Sequence, residues 1–338
     1  MSPRLLAQLA LLPDYLGHHL LLTVIALTAG IVTCIPLAVL VTRVRRLQWP
    51  TLAVAGVLQT IPGIALLALM VPLLGTIGYL PALVALILYS MLPILRNTVT
   101  GIQGVDPAVI EAARGIGMTD RQRLLRVELP LALPVIVAGI RTSAVWVVGT
   151  ATLSTPVGAT SLGNYIFSGL QTQNYTAVLV GCVSAALLAI ALDLLIRLAE
   201  EGLRHRSRAR LIIAGLLMTI AFVAGLTPML KPSEAGKKIV VGAKTFTEQY
   251  ILSDLIAMRL ERSGYRAEAV SSLGSTVLFD ALVNNSVDCC VDYSGTIWAN
   301  HMKRTDRVPA DSLLREMSVW LQQTYGIRCV GALGFENT

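Results

Sequence analysis

Over the first 200 residues, long apolar runs alternate with short polar or basic interludes, and then the pattern changes abruptly. The apolar windows fall near His19–Val41, Pro50–Leu74, Leu80–Leu95, Val135–Leu153 and Ala177–Leu195, and a further one, Leu211–Leu230, follows a basic stretch. A membrane helix needs about 20 such residues, so the pattern predicts a polytopic α-helical domain of about six spans. The first run lies between Arg4 and the Arg43, Arg45, Arg46 cluster with no small-residue cleavage motif, which predicts an uncleaved span and not a signal peptide. From Lys237 the runs shorten: β-type stretches at Ile239–Val241, Ala267–Val270 and Val287–Val291 alternate with helical patterns at Gln249–Arg262 and Val277–Asn284. That alternation predicts a parallel sheet with crossover helices, an α/β lobe over residues 237–338. The expected organisation is a membrane domain over residues 1–200, a basic linker with the sixth helix over 201–236, and then the lobe.

Between the third and fourth spans lies a polar interlude, Asp106–Pro134, within the loop 104–134. Asp106-Pro107 reads as an N-cap followed by proline at the first helical position, where a missing N–H costs nothing. Ala108–Arg114 can then form two turns, which Gly115 and Gly117 end. Thr119 can cap a second short helix, Asp120–Val127, which Pro130 and Pro134 are expected to limit. The prediction is a rigid helix–turn–helix projecting from two membrane helices, a shape suited to being gripped.

Hydrophobic residues make up 54% of the chain and charged residues 14%, against about 25% charged in a soluble domain. The charges are also segregated. Arg43, Arg45, Arg46, Arg96, the arginines of the interlude and those of Arg197–Arg210 fall on one side, while Gly75–Tyr79 and Ser154–Thr176 contain no Lys or Arg. The positive-inside rule then puts the interlude in the cytoplasm and the N-terminus and lobe outside a cell (inner) membrane. The net charge of +7 reflects this asymmetry and implies no nucleic-acid role.

Polar and small residues inside the spans carry further readings. Gln59-Thr60-Ile61-Pro62-Gly63 is either a packed kink or a kink lining a pathway. Tyr89, Pro93 and Asn97 read as packing and helix termination, and Gly139, Ser143, Ala144 and Gly149 suit close helix approach. Ser154–Thr176 predicts a re-entrant or interfacial helix over Leu162–Leu170, with Thr155 and Pro156 on a translocation path, or else a loop on the headgroups. In the lobe, ligands are expected off the carboxyl ends of the strands, at Ala243–Gln249, Gly274-Ser275-Thr276 and Asp292–Thr296. Cys34 and Cys182 read as packing residues; Cys289 and Cys290 point to opposite faces of a strand and should not pair with each other, and Cys329 falls in another β run, where the outside compartment would permit a bridge to it. No C-x-x-C, H-E-x-x-H, phosphate-loop or G-x-S-x-G motif is present, so neither a metal, a cofactor nor catalysis is expected.

Glu111-Ala112-Ala113, Gly117 six residues after Glu111, and Val127-Glu128-Leu129-Pro130 closely resemble the EAA---G---------I-LP signature of ABC-importer permeases, with valine in place of isoleucine. The resemblance implies a binding-protein-dependent permease fold, a paired permease or homodimer in lipid, and a separate cytoplasmic ABC ATPase subunit that hydrolyses ATP. It further implies that Glu111, Ala112, Ala113, Gly117, Leu129 and Pro130 couple the chain to that ATPase. QTIPGIALLAL and TPVGATSLGNYIFSGL resemble permeases of the osmoprotectant group (glycine betaine, carnitine, choline). GAKTFTEQYILSDLI, SSLGSTVLFDALVNNSVDCCVDYSGT and LGFENT resemble the substrate-binding protein of the same systems, a type II periplasmic-binding-protein fold. By that resemblance Lys244, Thr245, Phe246, Gln249, Ser275, Tyr293 and Thr296 line a cleft for a small quaternary amine, with Tyr293 supplying a cation–π face. In that group a second lobe follows a motif like LGFENT, so the chain, ending at Thr338, is expected to hold one lobe. Importers of another small solute, such as an amino acid, and a non-transporting membrane sensor are the alternatives.

Overall fold

The computed structural model describes residues 3–205, 207–226 and 238–334. Its first part is a helical bundle: α1 (Pro3–Arg43), α2 (Arg45–Thr60), α3 (Gly63–Leu74), α4 (Tyr79–Gln103), α5 (Pro107–Gly115), α6 (Asp120–Arg123), α7 (Leu129–Ala151), α8 (Gly163–Gln171), α9 (Tyr175–Arg204) and α10 (Arg208–Leu226). α4 lies between α1 and α7, and α7 also packs on α9. Among the described residues four helical stretches are long and apolar enough to cross a membrane, or five when the bent pair α2–α3 counts as one span. α10 is not among these; it packs against α1 and α9, and residues 227–230 of the expected sixth span lie outside the described residues.

Three expectations change. The second span is broken: α2 and α3 meet at 102° across Ile61-Pro62. Proline cannot donate the helix bond, and Ile61 turns to an extended conformation; the Tyr89 hydroxyl donates to the Ile61 carbonyl at 2.6 Å. Tyr89 thus supplies a partner at the break as well as packing. Pro130 and Pro134 do not end the second loop helix. Leu124–Glu128 forms a π-helical turn, and the chain runs on through both prolines into α7. Finally, a Cβ on Gly139 would lie 2.6 Å from the Asn97 Cβ, so that glycine permits the α4–α7 approach, whereas Gly149 has nothing within 4 Å.

The second part is a three-stranded parallel sheet in the order β2-β1-β3, with β1 (Ile239–Lys244), β2 (Ala267–Leu273) and β3 (Cys289–Cys290). α11 (Thr247–Arg262) and α12 (Ser275–Val283) are the crossovers. α13 (Ser294–Thr296) continues as a π turn, Ile297–His301, and α14 (Ala310–Tyr325) follows. α14 packs Met317 and Leu321 against Phe279 and Ile297, an i, i+4 stripe that the sequence reading passed over. The β run expected at Cys329 does not form: residues 326–333 carry no strand, and Cys329 is free.

The lobe does not bury its apolar surface alone. One continuous cluster joins Leu67 and Val71 of α3, Leu86 of α4 and Val147 of α7 to Val157, and then to Leu273, Val277, Leu278 and Ala281 of the lobe. Burying a leucine-sized side chain stabilises by about 1.5–3 kcal/mol, so this shared cluster holds the lobe against the bundle.

Candidate functional site

Two groups of side chains stand at opposite ends of α4 and α7. At the first, Asp106 Oδ1 accepts the Ala108 N–H at 2.9 Å, with Pro107 starting α5 as the N-cap reading required. α5 closes with two bonds, Gly117 N–H to the Arg114 carbonyl at 2.9 Å and Met118 N–H to the Ala113 carbonyl at 3.1 Å. Gly117 sits at φ +79°, the left-handed conformation this closure needs. Thr119 and Gln122 then exchange side-chain and backbone bonds in a capping box that starts α6. The projection exposes Glu111, Ala112, Gly117 and Pro130, leaves Leu129 half-buried and buries Ala113. It also exposes Val109, Ile116 and Leu125, apolar side chains the motif reading missed; Ile116 is 76% exposed. A carboxylate among exposed apolar groups on a rigid projection has the chemistry of a protein-docking surface.

At the other end, a 3₁₀ turn, Thr152–Val157, and α8 occupy the stretch expected to be re-entrant. They are packed in protein. Ser154, Thr155, Pro156, Val157, Leu162 and Tyr165 are all buried. A Cβ on Gly163 would lie 1.9 Å from the Thr152 carbonyl, so only glycine allows the chain to fold back so closely. Polar groups meet there: Thr155 Oγ1 lies 3.2 Å from both Ser161 Oγ and Asn164 Oδ1, and the Leu162 N–H donates to His19 Nδ1 at 3.3 Å. α3, which begins just after the break, packs on this turn, bringing the Pro62 bend and the Thr155-Pro156 turn to one region. Gln59 is half-buried and Pro62 exposed.

The lobe meets the bundle at this same turn. The Gly274 N–H donates to the Pro156 carbonyl at 3.0 Å, Leu273 is fully buried, and Thr247 Oγ1 donates to the Gln171 carbonyl at 3.1 Å. The carboxyl end of β2 therefore rests on the segment expected to border the path. Gly158, at φ +87°, lets the corner fit; a Cβ there would lie 3.2 Å from Leu273 Cδ2.

Of the expected ligand residues, four come together. Lys244, at the end of β1, is 1% exposed and forms an ion pair with Asp292, while Gln249 Oε1 accepts the Lys244 backbone N–H at 2.9 Å. Gln249 Nε2 is buried without a hydrogen-bond partner. Phe246 and Tyr293 form an edge-to-face pair with centroids 6.0 Å apart, and the Tyr293 hydroxyl bonds to Glu248. Lys244 Nζ lies 5.9 Å from the Tyr293 ring centroid. The Lys244 ammonium is thus held by Asp292, and the Phe246 ring lies against that of Tyr293. Thr245 and Thr296 are half-buried beside them. Ser275 stands apart, exposed at the start of α12. Burial among these strands pushes the Cys290 thiol up to about 12, a value at which it stays protonated and unreactive.

One pair escaped the sequence reading altogether. Arg141 of α7 and Asp193 of α9 form a two-pronged salt bridge at 2.7 and 2.9 Å, with Glu200 3.9 Å from the same guanidinium. Opposite lone charges within two neighbouring apolar runs were the available signal.

Comparison with known proteins places this geometry. Residues 11–205 match the binding-protein-dependent transport system inner membrane component family, and residues 237–328 match the substrate binding domain of ABC-type glycine betaine transport systems. The chain belongs to the binding-protein-dependent transport permeases, with a substrate-binding lobe on the same polypeptide. It is 43% identical to the choline transport system permease protein OpuBB of Bacillus subtilis, over 57% of this chain and 89% of the relative. It is 31% identical to the ergothioneine transport permease/ergothioneine binding protein EgtU of Helicobacter pylori, over 85% of this chain and 54% of the relative. Among solved structures, an inward-facing MetNI methionine ABC transporter superposes with a TM-score of 0.52 and 28% identity, covering 62% of this chain and all of that one.

Proposed function

We propose that this chain is the membrane subunit of an ATP-driven importer for osmoprotectant quaternary amines, such as glycine betaine, choline and carnitine. It works as a permease pair in the inner membrane, with the loop in the cytoplasm and the N-terminus and lobe outside. A separate ATPase grips the loop through Glu111, Ala112, Ala113, Gly117, Leu129 and Pro130. The lobe, residues 237–338, offers solute at Phe246, Gln249 and Tyr293, with Lys244, Thr245, Ser275 and Thr296 around them, and Gln59, Pro62, Thr155 and Pro156 border the path through residues 1–200. The observation that supports this reading is the Gly274–Pro156 contact, which brings a loop of the lobe against the turn that follows α7. A quaternary ammonium has no N–H to donate, so aromatic faces such as Phe246 and Tyr293 are suitable partners.

The test is uptake by the chain co-purified with its ATPase and reconstituted in vesicles. Labelled glycine betaine, choline or carnitine should accumulate with ATP, and Tyr293→Ala should weaken that uptake more than Tyr293→Phe. Accumulation of none of these by the wild-type complex would overturn the assignment. A second reading, ergothioneine as the solute, is favoured by the relative that matches across both parts of the chain; competition by ergothioneine in the same vesicles separates the two.

A further inference from the structure

Glu128 lies where α6 passes into α7, outside the residues assigned to ATPase contact, and it is 2% exposed. Two arginines hold it. Arg43, the last residue of α1, donates from Nη2 to Glu128 Oε2 at 2.5 Å, and Arg123, the last residue of α6, donates from Nε to Oε1 at 2.8 Å. Arg123 is itself buried and reaches Asp120 at 3.0 Å. In a regular α-helix residues five apart point well away from each other, because neighbours on one face are three or four apart. The π turn Leu124–Glu128, closed by the Leu129 N–H to the Leu124 carbonyl, adds the extra residue that brings positions 123 and 128 onto one side. A buried carboxylate is costly unless paired, so this arrangement forces three elements to stay together.

We propose that Glu128 is a positioning residue that clamps the end of α1 to the loop, so that displacement of α5 and α6 is carried to the first span as well as to α7. The inference rests on the importer reading, in which the ATPase moves the loop. α5 and α6 form the gripped surface; the clamp makes the α1 end follow them. Without it, the loop could still be gripped and moved, but α1 would lag.

The test compares wild type, Glu128→Gln, Arg43→Gln and Arg43→Lys, each co-purified with the ATPase from membranes and matched for amount. Glu128→Gln and Arg43→Gln should leave the KM for ATP unchanged and lower solute uptake per ATP hydrolysed about tenfold, within the usual range of coupling energies. Arg43→Lys, which keeps a cation for Oε2, should restore most of it. Hydrogen exchange supplies a readout independent of solute. Adding ATP should change protection at residues 37–43 in wild type, and in the two glutamine variants the change should be confined to the loop. Wild-type stoichiometry in assembled Arg43→Gln, or an ATP response at residues 37–43 that persists in it, would overturn the clamp. Arg43 is partly exposed at a helix end, so this variant decides the matter even where Glu128→Gln fails to assemble. Failure of wild type to transport any quaternary amine counts against the importer reading alone, because the exchange readout still tests the clamp.

Discussion

The loop at one end of α4 and α7 and the lobe at the other are ordered by different physics. The loop is built from short-range bonds: Asp106 to Ala108, Gly117 to Arg114, Thr119 to Gln122. It exposes Val109, Ile116 and Leu125 and is tethered through Arg43, Arg123 and Glu128. The lobe is ordered by long-range contacts. Its sheet pairs strands far apart in sequence, its buried Lys244 meets Asp292, and its β2–α12 corner shares one apolar cluster with the bundle. The difference teaches where each end is vulnerable: the loop to changes in backbone conformation, the lobe to loss of buried partners.

The most damaging change at the lobe end should be Lys244→Met. It leaves Asp292 with a negative charge in a largely buried site, and removing one partner of a buried pair costs about 3–5 kcal/mol. Hydrogen exchange in β1 and α11 of the full chain should rise sharply, and a second substitution, Asp292→Leu, should recover much of the protection. If Lys244→Met instead lowered solute affinity with exchange unchanged, the lysine would be a ligand contact and the lobe would not depend on its buried ion pair. Leu273→Ala comes next, because it opens a cavity in the shared cluster at a cost of about 2–5 kcal/mol. Limited proteolysis should then cut the lobe faster while α4 and α7 stay protected. Equal loosening of the bundle would mean that the two parts unfold as one.

At the loop end, Gly117→Val should disturb the chain less in stability than in use. A left-handed non-glycine residue costs about 1–2 kcal/mol, with more for a β-branched side chain, and the penalty falls on one turn. Membrane levels should stay normal while ATPase co-purification drops; full co-purification would show that the turn is dispensable for docking. The smallest effect should come from acid. Burial chiefly holds the His301 imidazole, stacked on Phe279, below its ordinary range, with Lys244 and Lys303 adding to this and Asp292 and Asp280 opposing it. A depressed folded pKa means that the unfolded lobe takes the proton first. His301 stability is therefore present above its unfolded value, ~6.5, and is lost as the pH falls through its folded one. Exchange in α12 and α13 should rise on acidification below that value, and His301→Gln should flatten the response. Asp280, raised by burial, acts in the opposite sense at lower pH, losing stability as the pH rises through its folded value.

Much of the molecule was legible in advance, for reasons visible in particular residues. Caps and turns depend on neighbours in sequence, so Asp106, Gly117 and Thr119 could be read directly. Apolar runs report burial or lipid whatever they pack against, so the helices and the βα alternation of the lobe were also recoverable. Strand order, the 102° break at Pro62, the π turn before α7 and α14 were not read that way. The break was foreshadowed by proline, but its angle depends on Tyr89 reaching the Ile61 carbonyl from another helix.

By itself the sequence determined the class: periodicity and local capping give a polytopic helical membrane protein with a rigid loop and an α/β lobe, and spaced motifs give the resemblance to importer permeases and their binding proteins. Only the tertiary structure decided what meets what. It committed Lys244 to Asp292, paired Phe246 with Tyr293, set Gly274 on the Pro156 carbonyl and enclosed Glu128 between Arg43 and Arg123. Each of those contacts joins residues brought together by packing, by chain reversal or by a register shift within a helix, and no local propensity encodes such meetings.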